Sequence, residues 1–174
     1  TAGCTGSAMV SVGVNPLPNV SAFAMPDTIC DGSQTNIAAT GAATYSWSSG
    51  NTGNSIFVNP SSTMTYSVVG TSSAGCTGSA TVGVTVNPNP TPVILGDVAV
   101  CIFDTAALTA FGGANYEWST GQTTPSVQIP FNSSGNFTVF VLATDTNNCT
   151  DTAFFAILVN PLPVFDLGAD TNIC

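Results

Sequence analysis

Apolar and polar residues alternate with a period of two along the clearest segments of this chain. Ala80, Val82, Val84 and Val86 are separated by Thr81, Gly83 and Thr85. Ala153, Phe155, Ile157 and Val159 repeat the pattern, and Ala8, Val10, Val12 and Val14 form a third copy. Successive side chains of a strand point to opposite faces, so this spacing predicts strands buried on one side. Shorter apolar runs precede them: Ile37-Ala38-Ala39, Tyr45-Ser46-Trp47, Ser55-Ile56-Phe57-Val58 and Thr65-Tyr66-Ser67-Val68, with Phe137-Thr138-Val139-Phe140-Val141 in the second half. Turn-forming residues punctuate the runs at Gly41, Ser49-Gly50-Asn51, Gly112-Gly113 and Ser134-Gly135. No stretch holds a helical period of useful length. With a first strand after Pro18 or Pro90, six or seven strands fit in about 73 residues. That density predicts an all-β fold of Ig-like antiparallel β-sandwich modules.

The pattern is written twice. Cys30, Ile37, Ala39, Gly41, Tyr45, Trp47, Ser48, Gly50, Ile56, Val58, Tyr66 and Val68 recur 71 residues later as Cys101, Leu108, Ala110, Gly112, Tyr116, Trp118, Ser119, Gly121, Val127, Ile129, Phe137 and Val139. Cys4, Cys76 and Cys149 each stand eleven residues before an Asn-Pro, at Asn15-Pro16, Asn87-Pro88 and Asn160-Pro161. A fixed period with loop-sized slippage marks a tandem array. The expected division is 1–15, the last strand of a preceding repeat; 16–87, repeat 1; 88–160, repeat 2; and 161–174, the first strand of a following repeat. The second repeat is two residues longer just before its second cysteine, at Thr144-Asp145-Thr146-Asn147-Asn148, which predicts a loop there. The Pro16-Leu17-Pro18, Pro88-Asn89-Pro90 and Pro161-Leu162-Pro163 joints favour extended, stiff couplings, so the modules are expected to form a rod.

Charge narrows the function. The chain has no Lys, Arg or His against nine acidic residues. Phosphate contacts by cations supply most affinity for nucleic acid, and none is available. Attraction to an anionic membrane surface fails for the same reason. Side-chain salt bridges cannot form. Without His or Lys the usual general bases and activated nucleophiles are missing, Glu117 is the only Glu, and the Asp residues are scattered over turns; no catalytic residue and no cofactor is expected.

Six cysteines point to an oxidising compartment, because no Cys-x-x-Cys knuckle or His supports zinc. Two pairings are open. The simpler and preferred one lies within modules, Cys30 with Cys76 and Cys101 with Cys149, leaving Cys4 and Cys174 to partners outside the segment. A bond across neighbours, such as Cys30 to Cys149, is the alternative, since the first cysteine of a sandwich sits at the end opposite the last hairpin. Trp47 and Trp118 read either as an aromatic platform for sugars or as core residues. A Tyr two positions earlier shares their face and favours the core. Asp145, Asn147, Asn148 and Asp151 bring oxygen ligands together, which makes Asp145 and Asp151 calcium candidates, although turn chemistry explains them without a metal. Asn19, Asn132, Asn136 and Asn148 each head an Asn-x-Ser/Thr triplet, a pattern that chance supplies in so polar a chain.

Taken jointly, the cysteine, the Gly-terminated strand, Tyr-x-Trp-Ser, Thr-Tyr-x-Val, Gly-Cys and the alternating Val run ending in Asn-Pro-x-Pro resemble the tandem Ig-like or PKD-like repeats of very large Bacteroidetes surface proteins. The resemblance covers the whole chain. It departs at Asn148, which replaces Gly before Cys149, and at Phe103, where the first repeat has Gly32. It implies type IX secretion, exposure at the cell surface, and a role as stalk, adhesin or filament; some members serve gliding motility. It also implies O-glycosylation of Asp-Thr-apolar triplets, with Thr28, Thr105 and Thr152 as acceptors. The expected function is a structural and adhesive repeat region. Its partners would be neighbouring copies or adjacent repeats, and surface glycans. The alternative is a carbohydrate-binding accessory region of a secreted polysaccharide hydrolase.

Overall fold

The computed structural model describes residues 2–165. Its backbone divides between Asn87 and Pro88 into two compact units. Strands are the only regular elements among the described residues, seven in each unit.

Unit 1 packs two sheets face to face. One holds β1 (Ser21–Met25), β3 (Thr35–Thr40) and β5 (Ser55–Val58) in the order β1-β3-β5. The other holds β2 (Thr28–Cys30), β7 (Thr77–Asn87), β6 (Met64–Thr71) and β4 (Thr44–Trp47) in the order β2-β7-β6-β4. All pairings are antiparallel except that of β2 with β7, which runs parallel with Cys30 opposite Asn87. The chain thus changes sheets between β1 and β2 at Pro26-Asp27. Proline has no N–H to give a ladder, so a break at this place leaves no donor stranded. The Thr35 hydroxyl donates to the Pro26 carbonyl and fixes the corner from the second sheet-forming strand.

Unit 2 repeats the plan. β8 (Val93–Gly96), β10 (Thr105–Phe111) and β12 (Ser126–Pro130) form one sheet. β9 (Ala99–Cys101), β14 (Thr150–Asn160), β13 (Gly135–Thr144) and β11 (Asn115–Trp118) form the other. β9 again runs parallel to β14, with Cys101 opposite Asn160. This topology, with the first strand split between two sheets, is that of an Ig-like β-sandwich.

The cores occupy equivalent positions, with Trp47 paired to Val68 and Trp118 to Val141. The two extra residues of unit 2 therefore fall between β12 and β13 and not, as expected, before the second cysteine, where Thr71–Thr77 and Thr144–Thr150 close hairpins of the same length. Ile37, Trp47, Ile56, Tyr66, Val68 and Val84 are buried in unit 1, as are Leu108, Trp118, Val127, Val139, Val141 and Ile157 in unit 2. Period-two spacing delivers these side chains to one face of each sheet, where burial stabilises each by about 1.5–3 kcal/mol.

The Ala8–Val14 segment differs from expectation. It carries no strand, and Met9, Val10, Val12 and Val14 are all at least 80% exposed. Its copies β7 and β14 are held by strands upstream of them in sequence, β2 with β6 and β9 with β13. Residues 161–165 of the expected following strand are likewise without strand structure, and the remainder of that segment, with Cys174, lies outside the described residues.

Candidate functional site

The two Tyr-x-Trp motifs are structural. Trp47 and Trp118 end β4 and β11 and are 3% and 2% exposed. Each indole N–H donates to a carbonyl six residues on, Gly53 at 3.0 Å and Thr124 at 2.9 Å. The Tyr45 hydroxyl accepts from the Ala42 N–H and donates to the Ala42 carbonyl, and Tyr116 does the same with Gly113. Both aromatic pairs therefore close the turn before their strand and fill the sandwich. Neither indole offers a face to a sugar.

The acidic loop of unit 2 is a closed turn. Asp145 Oδ1 accepts from the N–H groups of Asn147 and Cys149, both at 2.8 Å, and its Oδ2 accepts from the Asn147 amide at 3.2 Å. Desolvation pushes the Asp145 carboxyl up, but these donors outweigh it and hold its pKa below the usual value. Asp151 accepts from the Thr152 N–H at 2.7 Å. Among the described residues no group of three or more His, Cys, Asp and Glu side chains is placed to hold a metal ion. Ser72 is the counterpart of Asp145 in unit 1, accepting from the Cys76 N–H at 3.1 Å. The signal for both was a hydrogen-bonding side chain four residues before the second cysteine.

The cysteines require a correction. Cys30 and Cys149 are disulfide-bonded, whereas Cys76 and Cys101 are free thiols, as is the exposed Cys4. The within-module pairs Cys30–Cys76 and Cys101–Cys149 do not form. Cys30 lies opposite Asn87 at the last residue of β7, and Cys76 immediately precedes the first. Eleven residues of strand at ~3.3 Å each separate the two by about 36 Å, while a disulfide spans about 4.4–6.8 Å between Cα atoms. Cys101 and Cys149 stand in the same relation along β14.

Thr28 and Thr105 are exposed, and Thr152 is half-buried on β14. In each dyad the carboxylate engages the threonine: the Thr28 hydroxyl donates to Asp27, and the Thr105 and Thr152 N–H groups donate to Asp104 and Asp151. One shallow depression in unit 1, about 590 Å³, is lined by Gly41, Ala43, Thr44, Thr52 and Asn54, with no charged side chain. The outer face of β13 and β14 carries a more distinctive feature. Phe140 and Phe154 pair there with ring centroids 5.9 Å apart, and Phe154 is 70% exposed. Ser67 and Thr81 occupy the equivalent places of unit 1.

No protein-family profile matches the chain, and no curated protein is similar to it. Among solved structures it is similar to murine CEACAM1b, with 13% identity, a TM-score of 0.36, and coverage of 83% of this chain and 100% of that one. It is similar to a 1.5-MDa bacterial ice-binding adhesin, with 15% identity, a TM-score of 0.39, and coverage of 85% and 67%. A Ca2+-stabilized adhesin of an Antarctic bacterium shares 14% identity at a TM-score of 0.37, over 82% of this chain and 49% of that one. Likenesses so distant leave the Ig-like assignment to rest on the strand order described above.

Proposed function

We propose that this chain is a run of serial Ig-like repeats from an extracellular bacterial surface protein, serving as an adhesive stalk or filament and performing no catalysis. The proposed repeats are 16–87 and 88–160, flanked by pieces of two others. One observation carries the reading: two units with the same strand order, the same parallel β2/β9 pairing and cores at equivalent residues, one directly after the other in the chain. A repeated fold whose duplicated aromatic, aliphatic and glycine residues go into the core and turns has spent its sequence on architecture, not on a reaction centre. The absence of Lys, Arg and His supports the same conclusion. A disulfide suits an oxidising exterior.

The partners proposed are adjacent repeats and neighbouring copies of the chain. The exposed Phe140–Phe154 face supports lateral association, since solvent-facing aromatic pairs of this kind favour burial against another surface. The edge strands β4, β5, β11 and β12 add unpaired backbone groups that suit strand addition. Surface glycans are a third proposed partner, and Thr28, Thr105 and Thr152 are proposed acceptors for glycosylation.

Protease shaving of intact cells tests the reading directly. Chymotrypsin applied outside should release peptides of this region, while trypsin, which needs Lys or Arg, releases none from within it. Recovery of these peptides only after cell lysis would contradict the proposal. A carbohydrate-binding role has less support, because both tryptophans are committed to the core.

A further inference from the structure

We infer that unit 2 carries a self-docking face: the outer side of its sheet β11-β13-β14-β9 packs on the same face of a second copy of the chain. The inference rests on the serial-repeat reading proposed above and names, within it, the one face through which copies meet.

The face follows from register. Side chains on one side of a strand recur every two residues. Val139, Val141, Ile157 and Val159 of β13 and β14 are buried in the core, so Phe140, Phe154, Ala156 and Leu158 point outward. Phe140 stands opposite Phe154, and Leu158 stands beside Ala99 of β9, so apolar positions run across three neighbouring strands. Phe154 is 70% exposed, Leu158 44% and Phe140 41%.

Folding does not require this surface. The matching outward positions of unit 1 are Ser67, Thr81, Gly83 and Thr85, on a sheet of equivalent strand order. The same sandwich is thus built with hydroxyls and glycine there, whereas unit 2 holds two phenylalanines and a leucine in water. Together these exposed side chains come to on the order of 300–400 Å², a size at which the apolar patch of a monomer is commonly functional.

Charge selects the occupant. Every charged side chain of this chain is acidic, so two copies repel where their carboxylates approach and form no ion pair. Of the two acidic residues on these strands, Asp151 stands opposite the buried Ala143, in the core-side register, and Glu117 stands opposite Leu142 on the edge strand β11. The middle of the face holds no charge, and two copies meet there without desolvating a carboxylate. Such a face is its own complement about a two-fold axis. Phe154 of one copy lies against the aromatic pair of the other in the tilted geometry that rings favour. The exposed Phe23, Met25 and Phe57 of unit 1 offer less, because Asn36, hydrogen-bonded to Ser55, separates Met25 from Phe57. Two unit 2 faces bury about 600–800 Å² of apolar surface between them, and a polar rim adds to it, which makes the contact weak and reversible.

The test uses the purified full chain with reductant present, so that no disulfide between copies contributes. An equimolar mixture of carbon-13-labelled and unlabelled chain is studied by isotope-filtered NMR at millimolar concentration, and association is measured by sedimentation equilibrium. The face predicts contacts between copies at the Phe140 and Phe154 rings, and an association constant that rises severalfold as added salt screens the acidic repulsion. Phe154→Glu should weaken association on the order of tenfold, since it buries an unpaired charge. Phe154→Trp should retain association, and Phe23→Glu in unit 1 should leave it unchanged. Should Phe154→Glu melt early, Phe154→Thr, the residue of unit 1, takes its place. A monomer at every concentration, association that falls with salt, or equal weakening by Phe23→Glu overturns the contact. Calorimetry of the same samples tells this failure from that of the underlying reading. A calorimetric enthalpy about twice the van't Hoff value, as for two units unfolding independently, leaves the serial-repeat reading standing, and a ratio of about one overturns it too.

Discussion

Two residues of unit 2 adopt backbone conformations that glycine holds in unit 1. Phe103 has φ 71° where Gly32 has 81°, and Asn148 has φ 63° where Gly75 has 81°. A left-handed conformation costs a residue with a Cβ about 1–2 kcal/mol, less for Asn. Phe103 is 71% exposed and so regains little through burial. Phe103→Gly should therefore raise the stability of unit 2 by about 1 kcal/mol, and Gly32→Phe should lower unit 1 by a similar amount, both read from urea midpoints. Asp145 gives a pH prediction with a definite sign. Its folded pKa is depressed, so its contribution is present above the unfolded value and is lost as pH falls through the folded one. Asp145→Ser, which installs the residue of unit 1, should shrink the difference between urea midpoints at pH 7 and pH 3. An unchanged difference would show that the turn is not held by the carboxylate. These details were half legible. The missing glycines showed as departures from the frame, but only coordinates reveal that the left-handed turn persisted without them.

At the scale of elements, alternation located the long strands because one face of each sheet is buried, as along β6, β7, β13 and β14. The Tyr-x-Trp pair located β4 and β11 for the same reason. Trp118→Ala should cost unit 2 about 3–5 kcal/mol, enough to unfold a marginal module, with loss of its near-ultraviolet circular dichroism as the readout. β2 and β9 escaped the sequence reading as strands. At three residues each they are too short to show a period, and their parallel pairing comes from tertiary context. That omission hid the cysteine geometry, because the β2 and β9 ladders place the first cysteine at the far end of the last strand. β14 shows a further limit of periodicity. Phe154, Ala156 and Leu158 make its outer face apolar too, a pattern that alternation does not interpret. Exchanging Phe140 and Phe154 for the unit 1 residues, Phe140→Ser with Phe154→Thr, should reduce self-association in sedimentation at high concentration without altering the melting midpoint of unit 1. Undiminished association would move the lateral contact to the strand edges.

For the whole molecule, the absence of basic side chains means that folding rests on apolar burial, backbone pairing and disulfides. Raising ionic strength from about 0.05 to 1 M should leave stability unchanged or slightly higher, since there are no ion pairs to screen and only the mutual repulsion of nine acidic groups to relieve. A midpoint that falls with added salt would contradict this. The repeat frame showed in the sequence because the two copies kept their turns and cores in register, whereas any binding surface, being free to differ between copies, left no periodic trace. The central claim is that the repeats are equivalent, independently folded units in series. Force–extension of the single full-length chain under reducing conditions tests it most directly. The account predicts a series of separate, all-or-none unfolding events of equal length, each releasing about 24 nm for some 70 residues extended at ~3.5 Å. A smooth extension without steps, or one large event for the whole chain, would contradict it.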